Sequence, residues 1–153
     1  MAGVLAVVFF AATQTPAAGG AVQIVEHYAI EVPAGYVLKN VSPPMMDFDL
    51  YALVDKRTGR EKSRLYFGNA PAFPANRWAG TPTESKQAGG TRREFRGSDK
   101  IEGLMSFDGL TYKDSSGSPF QRIHYFANHV SAADVKVIAA MVDSISVAKK
   151  HLE

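Results

Sequence analysis

The chain has 153 residues, with 46% hydrophobic residues, 21% charged residues and a net charge of +2. That is the make-up of an ordinary globular domain rather than a disordered, fibrous or polyanion-binding chain. There is no cysteine, which excludes a disulfide framework, a thiolate metal site, a cysteine nucleophile and a lipid-modified cysteine.

No charged side chain occurs before Glu26. An apolar run at 4–12 is broken by Thr13, Gln14 and Pro16 and followed by small residues at 17–21, the order of the h-region and cleavage region of a secretory signal peptide. The usual basic start is missing. Residues 1–21 are therefore expected to be a leader, cut after Ala18 or Ala21; a retained hydrophobic N-terminal helix and a structural core segment are the alternatives. A membrane anchor needs roughly 20 consecutive apolar residues, so no stable membrane span is expected once the leader is removed. With the absence of cysteine, the leader points to a bacterial periplasmic or secreted protein. Residues 22–153 make one domain of about 130 residues, enough to bury a core.

The first expected strand covers 22–32, where Tyr28, Ile30 and Val32 alternate with Ala29 and Glu31 before 33–35 stop it. Residues 36–46 contain Pro43 and Pro44 and are expected to be irregular, because a residue preceding proline is pushed out of helical geometry. Alternation returns at 47–54, with Phe48, Leu50, Ala52 and Val54 on one face. A turn with Gly59 and a second strand at 62–67 complete a β-hairpin. Two prolines and a glycine in 68–74 cannot continue a central strand, so a long loop is expected to Gly90; loops of that length in compact domains are often functional. Short strands follow at 91–96 and 101–107, the latter extended by 110–112, then a turn at 113–118 and a last strand at 119–127. Ser131 and Asp134 stand at capping-box spacing, and Val135, Ile138, Val142 and Ile145 recur at helical intervals, so a helix opens at Ser131. A basic tail, 149–151, suits its C-terminal dipole. The expected fold class is α+β, an antiparallel sheet of about five or six strands with a C-terminal helix on the face carrying Phe48, Leu50 and Val54.

The residues that bear chemistry are sparse. The four histidines, His27, His124, His129 and His151, lack H-x-H or H-E-x-x-H spacing, so no metal and no cofactor is expected. His124 shares a strand face with Phe120, Arg122 and Phe126. Asp47 and Asp49 share a strand side and can approach as a carboxylate pair. Ser115, Ser116 and Ser118 lack a nucleophile-elbow setting, and the glycine pairs lack a phosphate-loop fingerprint. The densest cluster is aromatic and proline-rich: Tyr66, Asn69, Phe73 and Trp78, with Arg77, Arg92, Arg93 and Arg96 expected to flank it. Prolines limit the entropy lost on binding, and aromatic residues anchor interfaces, so this cluster suits an acidic protein partner. The other basic group, 55–64, is interleaved with acids like a solvated face, and no nucleic-acid partner is expected.

The run from Tyr28 through Pro33, Gly35 and Tyr36, the strands that follow, and the closing helix ending in Ser144-Ile145 resemble small exported proteins related to the extrinsic P subunit of photosystem II. The helix those proteins often carry after the first strand has no counterpart, since Pro43-Pro44 falls there. The resemblance implies an α/β sandwich with a binding or assembly role and no catalytic set. The expected function is an exported, non-enzymatic domain binding a protein partner, as an envelope accessory factor or an inhibitor or immunity-type protein. The alternative is a small-ligand-binding or hydrolytic domain centred on His124 and a neighbouring carboxylate.

Overall fold

The computed structural model describes residues 20–87, 89–110 and 119–148. The apolar run of the leader, Tyr112, the turn expected at 113–118 and the basic tail at 149–151 lie outside them. The architecture is mainly β: a three-stranded and a seven-stranded antiparallel sheet with one C-terminal helix. The strands are β1 (Ala21–Val25), β2 (Tyr28–Val32), β3 (Tyr36–Asn40), β4 (Asp49–Asp55), β5 (Glu61–Gly68), β6 (Thr83–Gln87), β7 (Gly90–Arg96), β8 (Ile101–Ser106), β9 (Arg122–Ala127) and β10 (Ser146–Val147), and the helix is α1 (Ala132–Asp143). The small sheet runs β1-β2-β10 and the large one β3-β4-β5-β9-β8-β7-β6. Two meanders, β3 to β5 and β6 to β9, thus meet at the β5–β9 pair. The chain crosses from one to the other through the loop 69–82.

This corrects the expected count of five or six strands. The strand expected at 22–32 is a hairpin, broken at Glu26 (φ 54) and His27. Residues 36–40 pair with β4 because Pro43 and Pro44 begin only after that strand has ended. The second half of the expected loop, 83–87, is an edge strand; its Thr, Glu, Ser, Lys and Gln carry no apolar alternation, so nothing in its pattern marks it.

The core lies between the large sheet and a layer made of α1 and the small sheet. Ser131 caps α1 and Asp134 closes the capping box, as the spacing predicted. The helix is fixed at both ends: Lys62 on β5 pairs with Asp134 at 2.9 Å, and Arg92 on β7 with Asp143 at 2.6 Å. Ile138, Met141 and Val142 pack with Leu65, Phe67, Ile123 and Met105 in one buried cluster, and Tyr28 brings β2 against Phe67 and Phe107. On β4, Tyr51 and Leu53 face the core, not Leu50 and Val54, and Phe48, just before the strand, turns to Tyr66. Tyr51 pairs with Leu65 and Leu53 with Ser63, whereas Leu50 pairs with Tyr66 on the outer face. Ala52, Leu53 and Val54 are all buried, so alternation there does not tell inside from outside.

One ladder position constrains the inner face. Tyr125, Gly103 and Glu94 stand in line across β9, β8 and β7. The Tyr125 ring lies over Gly103, and its hydroxyl donates to Glu94 on the strand beyond. A Cβ at Gly103 would come within 2.1 Å of the Tyr125 hydroxyl oxygen. Gly103→Ala should therefore destabilise the domain by about 1–3 kcal/mol in urea unfolding, the cost typical of overpacking. Much of that loss should vanish when Tyr125→Leu is introduced with it; equal losses in both backgrounds would show that the ring is not the obstacle.

Candidate functional site

β8 reads Ile101-Glu-Gly-Leu-Met-Ser106, and Ile101 through Met105 are all buried. Glu102 points to the outer face of the large sheet, between Phe126 of β9 and Phe95 of β7 in register, and is completely inaccessible to solvent. A carboxylate so placed is tolerable only when hydrogen bonds replace its hydration. The loop 69–82 supplies them. The backbone N–H groups of Ala75 and Asn76, the Asn76 side-chain amide (2.9 Å) and the Trp78 indole N–H (2.8 Å) all donate to Glu102. Asn76 and Trp78 donate to Oε2, and His124 Nε2 lies 2.8 Å from Oε1, the oxygen that also accepts from Ala75.

Burial raises the Glu102 carboxyl, but the hydrogen bonds from Trp78, Ala75, His124 and Asn76 outweigh it and hold the group below its ordinary range. Burial lowers the His124 imidazole, and Glu102 only partly opposes this. The carboxylate is thus ionised and accepts only, which puts the shared proton on His124 Nε2. At neutral pH the pair is a neutral imidazole donating to a carboxylate.

Aromatic rings close over this centre. Trp78 stacks on Phe95 at 5.2 Å and 11°. Phe73 meets His124 edge-on at 5.7 Å and lies 6.0 Å from Phe95, and Phe126 flanks His124 at 5.2 Å. Two cations cap the rings from outside, Arg93 5.2 Å from the centre of Phe73 and Lys100 4.3 Å from that of Trp78. Lys100 also donates to the Arg77 carbonyl, while the side chains of Arg77 and Arg93 are exposed. Glu84 sits across the β6–β7 ladder from Arg93.

The structure therefore brings together Phe73, Trp78, Arg93 and His124, with Arg77 on the adjoining loop surface. Tyr66 is beside His124 in register but its ring turns to Phe48, at 5.1 Å. Asn69 anchors the start of the loop, accepting from Gln121 N–H at 2.9 Å. Arg92 and Arg96 do not flank the cluster. They fall on the helix side of β7, paired with Asp143 and Glu94, because neighbours of Arg93 and Phe95 must point the other way.

Asp47 is exposed and Asp49 turns instead to Ser42, whose hydroxyl donates to it at 2.9 Å. Burial pushes the nearby Glu26 carboxyl up to about 7, with Asp49 adding to the shift and the Tyr51 hydroxyl opposing it. Glu102 itself was not singled out by the sequence patterns. Its signal is the one charge inside an otherwise apolar strand.

No protein-family model, curated protein or solved structure matches the chain. Among the described residues there is no group of three or more His, Asp or Glu side chains placed to hold a metal ion, and no helix long and apolar enough to cross a membrane.

Because Trp78 is the sole tryptophan, its fluorescence reports the Glu102 contact directly. Glu102→Gln should cost about 3 kcal/mol of stability, since buried donors lose their charged acceptor. Its folded state should also show red-shifted emission and easier acrylamide quenching. Unchanged emission and quenching in the folded variant would mean that Glu102 does not hold the loop.

Proposed function

We propose that this is an exported, non-enzymatic domain that binds an acidic protein partner through the surface formed by Phe73, Trp78, Arg77, Arg93 and Lys100. A half-exposed aromatic surface, capped by cations and pinned from beneath by Glu102, is the observation that carries this function. Such a surface loses little entropy on binding, because the loop that presents it is already ordered. Its charges would steer an acidic partner and set the register of the complex. Export is supported by the uncharged, apolar stretch preceding Glu26, and a binding or assembly role agrees with the resemblance drawn from the Tyr28 to Tyr36 run and the closing helix.

The alternative centre, His124 with a carboxylate, finds that carboxylate in Glu102. Two features weigh against chemistry there. Glu102 already receives five hydrogen bonds, and His124 is only 4% exposed, so neither group is free to meet a substrate.

The test is recovery of the partner from the exported fraction with wild-type, Arg77→Glu and Arg93→Glu protein as bait, followed by titration of the purified partner. Charge reversal should weaken binding by about tenfold or more, with the wild-type affinity falling as salt rises. Equal binding by all three proteins would overturn the assignment of this surface. A hydrolytic activity abolished by His124→Ala in a folded protein would overturn the non-enzymatic reading.

A further inference from the structure

Among the described residues β1 is the open edge strand of the small sheet, with β2 its only strand neighbour. Its sequence, Ala21-Val-Gln-Ile-Val25, has no charge and no proline, the devices that normally blunt a sheet edge. Val22 and Ile24 project from the same side of the strand and are 68% and 54% exposed.

The direction of its backbone groups follows from β2. The Glu31 N–H donates to the Ser144 hydroxyl at 2.9 Å, on the side away from β1, and β10 pairs at Ala29 on that same side. Tyr28, Ile30 and Val32 therefore direct their N–H and C=O groups at β1, where they meet Val25, Gln23 and Ala21. The backbone groups of Val22 and Ile24 must then point outward, to the open edge.

We infer that β1 pairs with β1 of a second copy of this chain, antiparallel about a two-fold axis at Gln23. In that register Val22 of one copy faces Ile24 of the other. The outward-pointing residues thereby form two hydrogen-bonded pairs, exchanging four N–H···O=C bonds across the axis. The β-branched side chains of Val22 and Ile24 become cross-strand neighbours, and Gln23 meets its own counterpart in the intervening non-hydrogen-bonded pair. No like charges are opposed, because Glu26 falls opposite Gly20 of the second copy. The two small sheets join into one six-stranded sheet, order β10-β2-β1-β1-β2-β10. An interface of one short strand per copy lies at the small end of specific interfaces, so the dimer is weak and concentration-dependent. The interface is separate from the Phe73–Trp78 surface, and its failure would leave that surface untouched.

The absence of cysteine makes a single-cysteine scan of the full chain clean. Non-hydrogen-bonded antiparallel pairs bring Cα atoms to about 4.5 Å, inside the range a disulfide spans. Gln23→Cys should therefore form an interchain disulfide on mild oxidation, whereas Val22→Cys, whose counterpart lies two residues off register, and the distant Thr58→Cys should not. In sedimentation equilibrium the wild-type chain should dimerise reversibly. Ile24→Pro should weaken that association by about tenfold or more while keeping the β1–β2 ladder, since it removes an N–H that points away from β2. Ile24→Lys should weaken it as well, should the proline variant fail to fold. A chain that stays monomeric overturns the inference, and so do equal cross-linking of all three cysteine variants or association unaffected by Ile24→Pro and Ile24→Lys.

Discussion

A buried carboxylate organises the outer face of this domain. Glu102 stands in a central strand with no access to solvent, and the cost of removing that charge from water is large unless it is fully hydrogen-bonded. Its five donors come from one loop and one histidine. Ordering that loop costs about 1–2 kcal/mol per residue in backbone entropy. The carboxylate and the stacking of Trp78 on Phe95 are what offset it. Without Glu102 the loop loses the four hydrogen bonds that Ala75, Asn76 and Trp78 make to the middle of the sheet, and Phe73 and Trp78 lose the geometry that makes them a surface.

The inner face depends on the same strand one residue later. Gly103 lets the Tyr125 ring cross β8 to Glu94, so successive residues of β8 fix a polar contact on each side of the sheet. Burial of the Tyr125 phenol and the charge of Glu94 both push its ionisation up, so it stays a hydrogen-bond donor at any ordinary pH. Together the two contacts explain why β8 contains a charge and a glycine amid apolar residues. Each meets a demand from a different layer.

What the sequence disclosed and what it hid divide along physical lines. The capped helix, the β4–β5 hairpin and strands β7 to β9 were legible because local spacing and turn chemistry specify them. The split of β1 from β2 was hidden: Glu26 takes a positive φ that glycine or asparagine would have advertised. β3 was hidden because Pro43 and Pro44, just beyond its end, mark the whole segment as irregular, and β6 because its residues carry no apolar alternation. The aromatic cluster and His124 were visible as composition, but their convergence on Glu102 depends on non-local pairing across β7, β8 and β9. The side of the sheet that each residue takes on β4 could not be read, since both faces are covered there.

The account turns on Glu102 being an ionised, loop-anchoring acceptor. Carbon-13 NMR of its side-chain carboxyl during an acid titration, with the Trp78 indole N–H followed in parallel, tests this most directly. The carboxyl should titrate below its ordinary range, and the Trp78 indole resonance should move with the same midpoint as acid weakens the contact. Since the folded group binds its proton more weakly than the unfolded one, stability from this contact should be full above the ordinary glutamate range and lost as pH falls through the lowered midpoint. A Glu102 carboxyl that titrates at or above the ordinary value, or a Trp78 indole indifferent to it, would contradict the account.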